Sequence, residues 1–254
     1  MTKVSERMSL TGKVAVVTGG SRGIGRAMVQ AFAEAGADVV VASRRLDACE
    51  TAARETAGST GRTALPVATH VGRWADCDRL VATTLDHFGR LDVLVNNAGM
   101  SPLYENLAAV TEELYDKTLG VNLKGPFRLG ALAATHMAQH GGGSIINVST
   151  IGSLLASPGE LPYVCAKAGL NALTVGLADA FAPTVRVNAI LPGAFRTDIT
   201  KAWPPEMMSG SFVPLQRLGE PDEIAPLAVY LASDASSYTT GALIRVDGGV
   251  SRKV

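Results

Sequence analysis

VAVVTGGSRGIGRAMVQAFAEAG, residues 14–36, decides the fold. Its first residues are apolar or β-branched with no polar alternation, the pattern of a strand buried on both faces. From Ile24 the apolar residues take helical spacing and stop at Gly36, a usual helix terminator. Between the two lies TGGSRGIG (18–25), a Gly-rich turn where strand passes into helix. Gly19, Gly23 and Gly25 have no side chains, so backbone there can approach a pyrophosphate closely. The helix that follows points free N–H groups and the positive end of its dipole at phosphate charge. A tight turn with no ligand is the plainer alternative, and the strand before and helix after weigh against it.

Outward from this stretch, short apolar runs alternate with helical segments. DVVVAS (38–43), TALPVAT (63–69), LDVLVNNAG (91–99), GSIINVS (143–149), VRVNAI (185–190) and ALIRVD (242–247) read as strands. Residues 46–58, 75–89, 163–182 and the region near 221–233 read as helices, and a long, mostly helical stretch runs from about 112 to 140. Alternation of this kind predicts an α/β fold: one doubly wound Rossmann-type domain over 1–254, with a parallel sheet of about seven strands and helices on both faces. No linker, repeat or low-complexity segment interrupts it.

Hydrophobic residues make up 47% of the 254 positions and charged residues 18%, enough for a sizeable core and too little charge for disorder. Twenty-three basic residues balance twenty-three acidic ones, so no overall field draws the chain to nucleic acid or an anionic membrane. Cys49, Cys77 and Cys165 are too few and too scattered for a disulfide framework or a zinc site. His87, His136 and His140 lack metal-ligand spacing and read as surface residues. There is no signal-peptide core at the N-terminus, no apolar run of about 18 residues, and no address signal in the final SRKV. A cytoplasmic location is expected.

A second stretch carries chemistry: STIGSLLASPGELPYVCAK, residues 149–167. Tyr163 and Lys167 are four apart on a predicted helix and share a face. A cation at ~4 Å in an effective dielectric of ~20 is worth about 4 kcal/mol, roughly three pKa units. On that estimate Lys167 brings the phenol close to physiological pH, ready to give or take a proton. The device also needs a neutral donor beside the phenol. Ser149 and Thr150 both stand at the end of a strand, where neighbours point to opposite faces, so only one can serve. Cys165, two residues from each partner, faces elsewhere and reads as a packed small residue.

TGGSRGIG, the NNAG of 96–99, Asn122, the Tyr163/Lys167 pair and the PG of 192–193 together resemble the short-chain dehydrogenase/reductase family, from about residue 10 to 249. The resemblance implies hydride transfer between a nicotinamide cofactor and a carbonyl or alcohol carbon. It implies that Lys167 holds the nicotinamide ribose and that Asn122 supports a water link to Lys167. The family's hydroxyl lies 13 residues before the Tyr and is normally Ser; here that position is Thr150, which is preferred over Ser149. Cofactor contacts are implied for Gly19, Ser21, Arg22, Gly23, Ile24, Gly25, Asn97, Ala98, Gly99, Pro192, Gly193 and Thr197.

Ser43 and Arg44 close the second strand where an NAD-specific site places a carboxylate for the ribose 2′-OH. With Arg45 and Arg22 nearby, the position favours NADP(H) over NAD(H), one guanidinium forking onto a 2′-phosphate. The family usually has an Asp after the third strand to hold the adenine amino group. This chain has His70 there, before Val71; either the neutral imidazole of His70 accepts one hydrogen bond from adenine, or His70 is an ordinary surface residue.

The substrate is expected beyond the carboxyl ends of the strands, between loops 100–106, 152–162 and 193–212. Phe195, Trp203, Met207, Met208 and Phe212 mark a lid near 194–213 and suggest a hydrophobic or mixed substrate, if they do not simply pack on the core. Glu160 is the one acidic residue of the middle loop, placed either against a polar substrate group or in solvent. A 3-oxoacyl thioester, a free ketone, a sugar and a steroid all remain open. The resemblance also implies a homo-oligomer, commonly a tetramer. The competing class is a non-catalytic NADP-binding sensor or partner subunit.

Overall fold

The computed structural model describes residues 3–198, 200 and 204–251. A short helix α1 (Val4–Arg7) leads into β1 (Val14–Thr18), α2 (Gly23–Glu34), β2 (Asp38–Ser43), α3 (Leu46–Thr60), β3 (Ala64–Ala68), α4 (Trp74–Phe88) and β4 (Val93–Asn96). Then come α5 (Glu112–Leu119), a π-helical turn (Gly120–Lys124), α6 (Gly125–Gln139), β5 (Gly143–Val148), α7 (Leu161–Ala180), β6 (Val185–Pro192), α8 (Pro205–Met208), α9 (Ala225–Ala232) and β7 (Leu243–Val246). The strands form one parallel sheet in the order β3-β2-β1-β4-β5-β6-β7. This is the doubly wound fold expected from the alternating pattern.

Strand alternation builds two cores from one sheet. Ala15 and Val17 share a core with Met28, Val29 and Phe32 of α2, Cys49 of α3 and Leu231 of α9. Val14 and Val16 share the other with Leu80 of α4, Leu129 and Met137 of α6 and Leu177 of α7. Both sets are buried, which is why β1 reads as an unbroken apolar run. Each fully buried Leu, Phe or Met contributes roughly 1.5–3 kcal/mol over leaving it in water. α3 and α4 end on Gly61 and Gly89, both in the left-handed conformation that closes a helix and that glycine adopts without strain.

The mostly helical stretch from 112 to 140 divides into α5 and α6 at a π turn. At its end Gly125 packs so tightly on the backbone of Val71 that a β-carbon could not fit. Of the apolar residues in the expected lid, Phe195 belongs to the core, 5% exposed, its ring lying on Gly219. Met207 and Phe212 are exposed, at 39% and 46%. Met208 is half-buried, and Trp203 lies outside the described residues.

The strand order reverses between β1 and β4. A crevice opens there at the carboxyl ends, where the loops after neighbouring strands depart in opposite directions.

Candidate functional site

The Gly-rich loop leaves β1 at Thr18 and enters α2 at Gly23, with Gly19 and Gly23 both at positive φ. Gly19 faces β4: a β-carbon there would sit 2.7 Å from Asn97 Nδ2. Gly25 faces the Gly19 carbonyl and Asn97 so closely that no side chain fits. Gly23 is different. Its missing side chain looks into open space, with Thr197 as its nearest neighbour at 3.8 Å. That opening, at the free N–H groups of α2, suits the pyrophosphate of a dinucleotide. Ile24 is half-buried against the core. Thr18, which the sequence reading passed over, ties the loop to β4: its hydroxyl donates to Val95 O and accepts the N–H groups of Asn97 and Ala98.

Ser21 Oγ donates to Ser43 Oγ at 3.0 Å, joining the loop to the end of β2. Arg44 and Arg45 are exposed beside it, and Arg44 makes no ion pair among the described residues. A surface recess of about 300 Å³ runs alongside, lined by Ser21, Arg45, Asp47 and Thr51 among others. Arg22 is exposed and pairs with Asp198 at 2.9 Å. A surface pair of this kind is worth about 0–1 kcal/mol, so a phosphate could readily take the guanidinium from it.

His70 and Val71 follow β3 as expected, but the imidazole is committed differently. Its Nδ1 accepts the Gly72 N–H at 3.2 Å, and its backbone N–H is held by Asp76 Oδ2 at 3.0 Å. That backbone hydrogen bond holds the Asp76 carboxyl below its ordinary pKa. A neutral imidazole has one acceptor nitrogen, and here it is used. The network therefore assigns the proton to Nε2, a donor. In that tautomer the ring offers a ligand a donor rather than a free acceptor.

Gly99 brings three motifs together. A β-carbon there would lie 3.0 Å from Asn122 Oδ1 and 3.6 Å from Lys167 Nζ. Asn122 is fully buried in the π turn. It donates to Met100 O at 2.8 Å and Thr118 O at 2.9 Å, and its Oδ1 accepts the Met100 N–H. π turns concentrate at functional sites because they free a carbonyl and re-aim a side chain. Behind them Asn96 Nδ2 donates to Asn147 Oδ1, and Asn147 Nδ2 to Thr174 Oγ1, a buried polar chain from β4 through β5 to α7.

The two hydroxyls separate as strand alternation requires. Ser149 is buried and turned onto α7, donating to Lys167 O at 3.3 Å. Thr150 Oγ1 accepts the Gly152 N–H at 3.2 Å, and the Thr150 hydroxyl lies on the Tyr163 side, where it favours the phenolate. Lys167 Nζ donates to Val148 O at 2.6 Å and lies 5.8 Å from the centre of the Tyr163 ring.

The pKa shifts do not follow the expected direction. Burial pushes Lys167 down to about 7. Burial raises the Tyr163 phenol, the charge of Glu160 raises it further, and the Thr150 hydroxyl opposes both. Desolvation disfavours the charged form of each group, and it outweighs their mutual attraction because Lys167 spends its proton on Val148 O rather than on the phenol.

Tyr104, also missed by the sequence reading, holds the start of α7. Its hydroxyl donates to Pro158 O at 2.6 Å and accepts the Leu161 N–H at 2.7 Å, in place of a side-chain N-cap. Pro192 closes β6. Gly193 donates to Val246 O and sits against Asp247, where a β-carbon would be 2.7 Å from its Cα. Thr197 faces the Gly-rich loop across Gly23. Among the described residues, no cluster of His, Cys, Asp and Glu is placed to hold a metal ion, and no helix is long and apolar enough to cross a membrane.

The family model described as Enoyl-(Acyl carrier protein) reductase matches residues 19–251. Dehydrogenase/reductase SDR family member 4 of Pongo abelii is 37% identical, over 99% of this chain and 92% of that protein. L-rhamnose 1-dehydrogenase (NAD(P)(+)) of Azotobacter vinelandii is 41% identical, over 96% and 98%. The crystal structure of a short-chain type dehydrogenase/reductase from Mycobacterium marinum superposes with a TM-score of 0.91 at 34% identity, covering 98% of this chain and 99% of that one. With its seven-stranded parallel sheet, Gly-rich β1–α2 turn and Tyr163/Lys167 pair, the chain belongs to the short-chain dehydrogenase/reductase family and is an NAD(P)(H)-dependent oxidoreductase acting on carbonyl and alcohol groups.

Proposed function

We propose that the protein interconverts a ketone and a secondary alcohol with NADP(H) in preference to NAD(H), and that Tyr163 is its general acid and base. The observation that carries this reading is the grouping of Tyr163 with Lys167, whose Nζ lies 5.8 Å from the ring centre, with Asn122 across Gly99 from that amine and Thr150 on the phenol's side. The dinucleotide would be held by the Gly19–Gly25 turn, by Asn97–Gly99, by Lys167 and by Pro192, Gly193 and Thr197, and its nicotinamide supplies the hydride. The chain's own residues do the rest. Thr150, with its oxygen occupied by the Gly152 N–H, points its proton at the substrate oxygen. Tyr163 delivers a proton to that oxygen as negative charge develops on it, so that C=O gains one hydride on carbon and one proton on oxygen. The buried Lys167 would hold the ribose side of the site, and Asn122 would support the water link through which Lys167 returns a proton to the phenol. The apolar side chains of Met207 and Phe212 would border the substrate, and the edge strand β7 would support assembly into a homotetramer.

Thr150→Ala is expected to lower kcat by about 10²-fold, the size of an oxyanion-donor deletion. Ser149→Ala should cost no more than the net worth of one hydrogen bond, about 1 kcal/mol of stability. Steady-state kinetics and thermal melts of the pair decide it, and equal, small rate effects would remove Thr150 from the mechanism.

The cofactor preference rests on Arg44, exposed and without an ion-pair partner among the described residues, where a carboxylate would repel a 2′-phosphate. Charge-assisted hydrogen bonds are worth about 1.5–3 kcal/mol. Arg44→Asp should therefore raise KM for NADPH by about 10- to 100-fold and leave that for NADH little changed. Initial rates with both cofactors test this, and an unchanged NADPH/NADH ratio would return Arg44 to the solvated surface.

A further inference from the structure

Glu160 is half-buried three residues before Tyr163, and its placement is hard to explain as a solvated surface group. A β-carbon at Gly152 would sit 3.3 Å from Glu160 Oε1 and 3.5 Å from Thr150 Oγ1, so this carboxylate and the hydroxyl on the Tyr163 side flank the same point. Its charge is felt at the phenol. Burial raises its carboxyl above the ordinary value, and nearby Ser101 opposes that rise. No Lys or Arg pairs with it among the described residues, and Lys167 is turned to Val148 O. A partly desolvated carboxylate with no counter-charge is costly to keep. This one is kept at the reacting end of the site.

Pro102, Tyr104, Pro162 and Tyr163 lie around it. Tyr104 has its hydroxyl engaged as both donor and acceptor, leaving its ring to present. The surroundings offer aromatic and proline surface around one anionic group. A polyol would need several donors and acceptors there. An alkylated ammonium needs a carboxylate and ring faces, and those are the residue types that border this end of the site.

We propose that Glu160 recognises a positively charged substrate, an amino ketone whose ammonium rests against the Glu160 carboxylate while its carbonyl meets Tyr163 and Thr150. This rests on the reading of Tyr163 as the reacting end. The charge discriminates in two directions: it draws cationic ketones in and turns anionic ones away.

The test uses three six-membered ketones of similar size with NADPH: 1-methyl-4-piperidone as cation, 4-methylcyclohexanone as neutral reference and 4-oxocyclohexanecarboxylate as anion. The wild-type protein should give a kcat/KM for the piperidone about 10-fold or more above the neutral ketone, with the anion lowest. In Glu160→Gln, which keeps the shape, the ratio of cation to neutral should fall to near one, whichever way the absolute rates move. Turnover of the neutral ketone with the same cation-to-neutral ratio in both proteins overturns the inference and leaves the oxidoreductase reading standing. So does a preference for dihydroxyacetone over the piperidone. If none of the ketones turns over, the ketone reading of the site fails, and calorimetry of piperidone binding to the NADP⁺-loaded protein decides separately. Binding lost in Glu160→Gln supports Glu160 as the recognition group, and equal binding overturns it.

Discussion

Tyr163→Phe is expected to cut turnover by about 10³-fold and to leave NADPH binding within the range of the wild-type protein. The phenol oxygen is the one atom removed, and no residue that would hold the dinucleotide's phosphates depends on it. Because burial and Glu160 raise the phenol above its ordinary value, Tyr163 stays protonated across the neutral range. The reduction rate should then be flat through neutral pH and fall only in strong alkali. The reverse oxidation needs the phenolate and should climb steadily as pH rises. Rates in both directions from pH 6 to 10, with and without the substitution, test the assignment. A bell centred near pH 7 in the reductive direction would mean that another group moves the proton.

Lys167→Met is expected to abolish turnover and yet raise the melting temperature by a few degrees at pH 6. Lys167 is buried, and its folded pKa lies at about 7 against an ordinary 10.5. Between those values the unfolded chain binds a proton that the folded chain does not, so this residue makes stability rise with pH over that window. Below pH 7 both states carry the proton and the cost of the buried charge is present in full. Met removes that cost. It also leaves Val148 O without its donor, so the advantage should shrink as pH rises and be gone by about 10.5, the ordinary lysine value. All other titrations are shared by the two proteins and cancel. Melts at pH 6, 8 and 10 read the difference, and a gap independent of pH would mean that Lys167 titrates as an ordinary lysine.

Much of the fold was legible because one sheet face repeats its demand along every strand. Val14 to Thr18 had to be buried on both sides, and the glycines after it had to turn into a helix. The convergence of Gly99, Asn122 and Lys167 follows once the strand order is known, since each stands at a carboxyl end or beside one. What could not be read depended on contacts between loops. Tyr104 holds α7 from 57 positions away, and no periodicity marks it. Phe195 and Phe212 look alike in sequence, but one lies on Gly219 and the other faces solvent. His70 has an acceptor nitrogen in principle, and the next turn of chain takes it. The direction of the Tyr163 shift was missed for a related reason: spacing gives the neighbours of a charge and not the depth at which it lies.

The π turn at Gly120–Lys124 has one more consequence. In a regular helix each residue advances the chain by about 100° around the axis. The wide turn therefore acts as a phase shifter between α5 and α6. Deleting one residue from it would let the two helices run on as one, with better backbone geometry. It would also rotate one of them by about 100° relative to the other, so that Asn122 turned away from Lys167 or α6 presented the wrong stripe to the sheet. The site's geometry is thus encoded partly as a count of residues, and a change that preserves every side chain but alters that count would dismantle it.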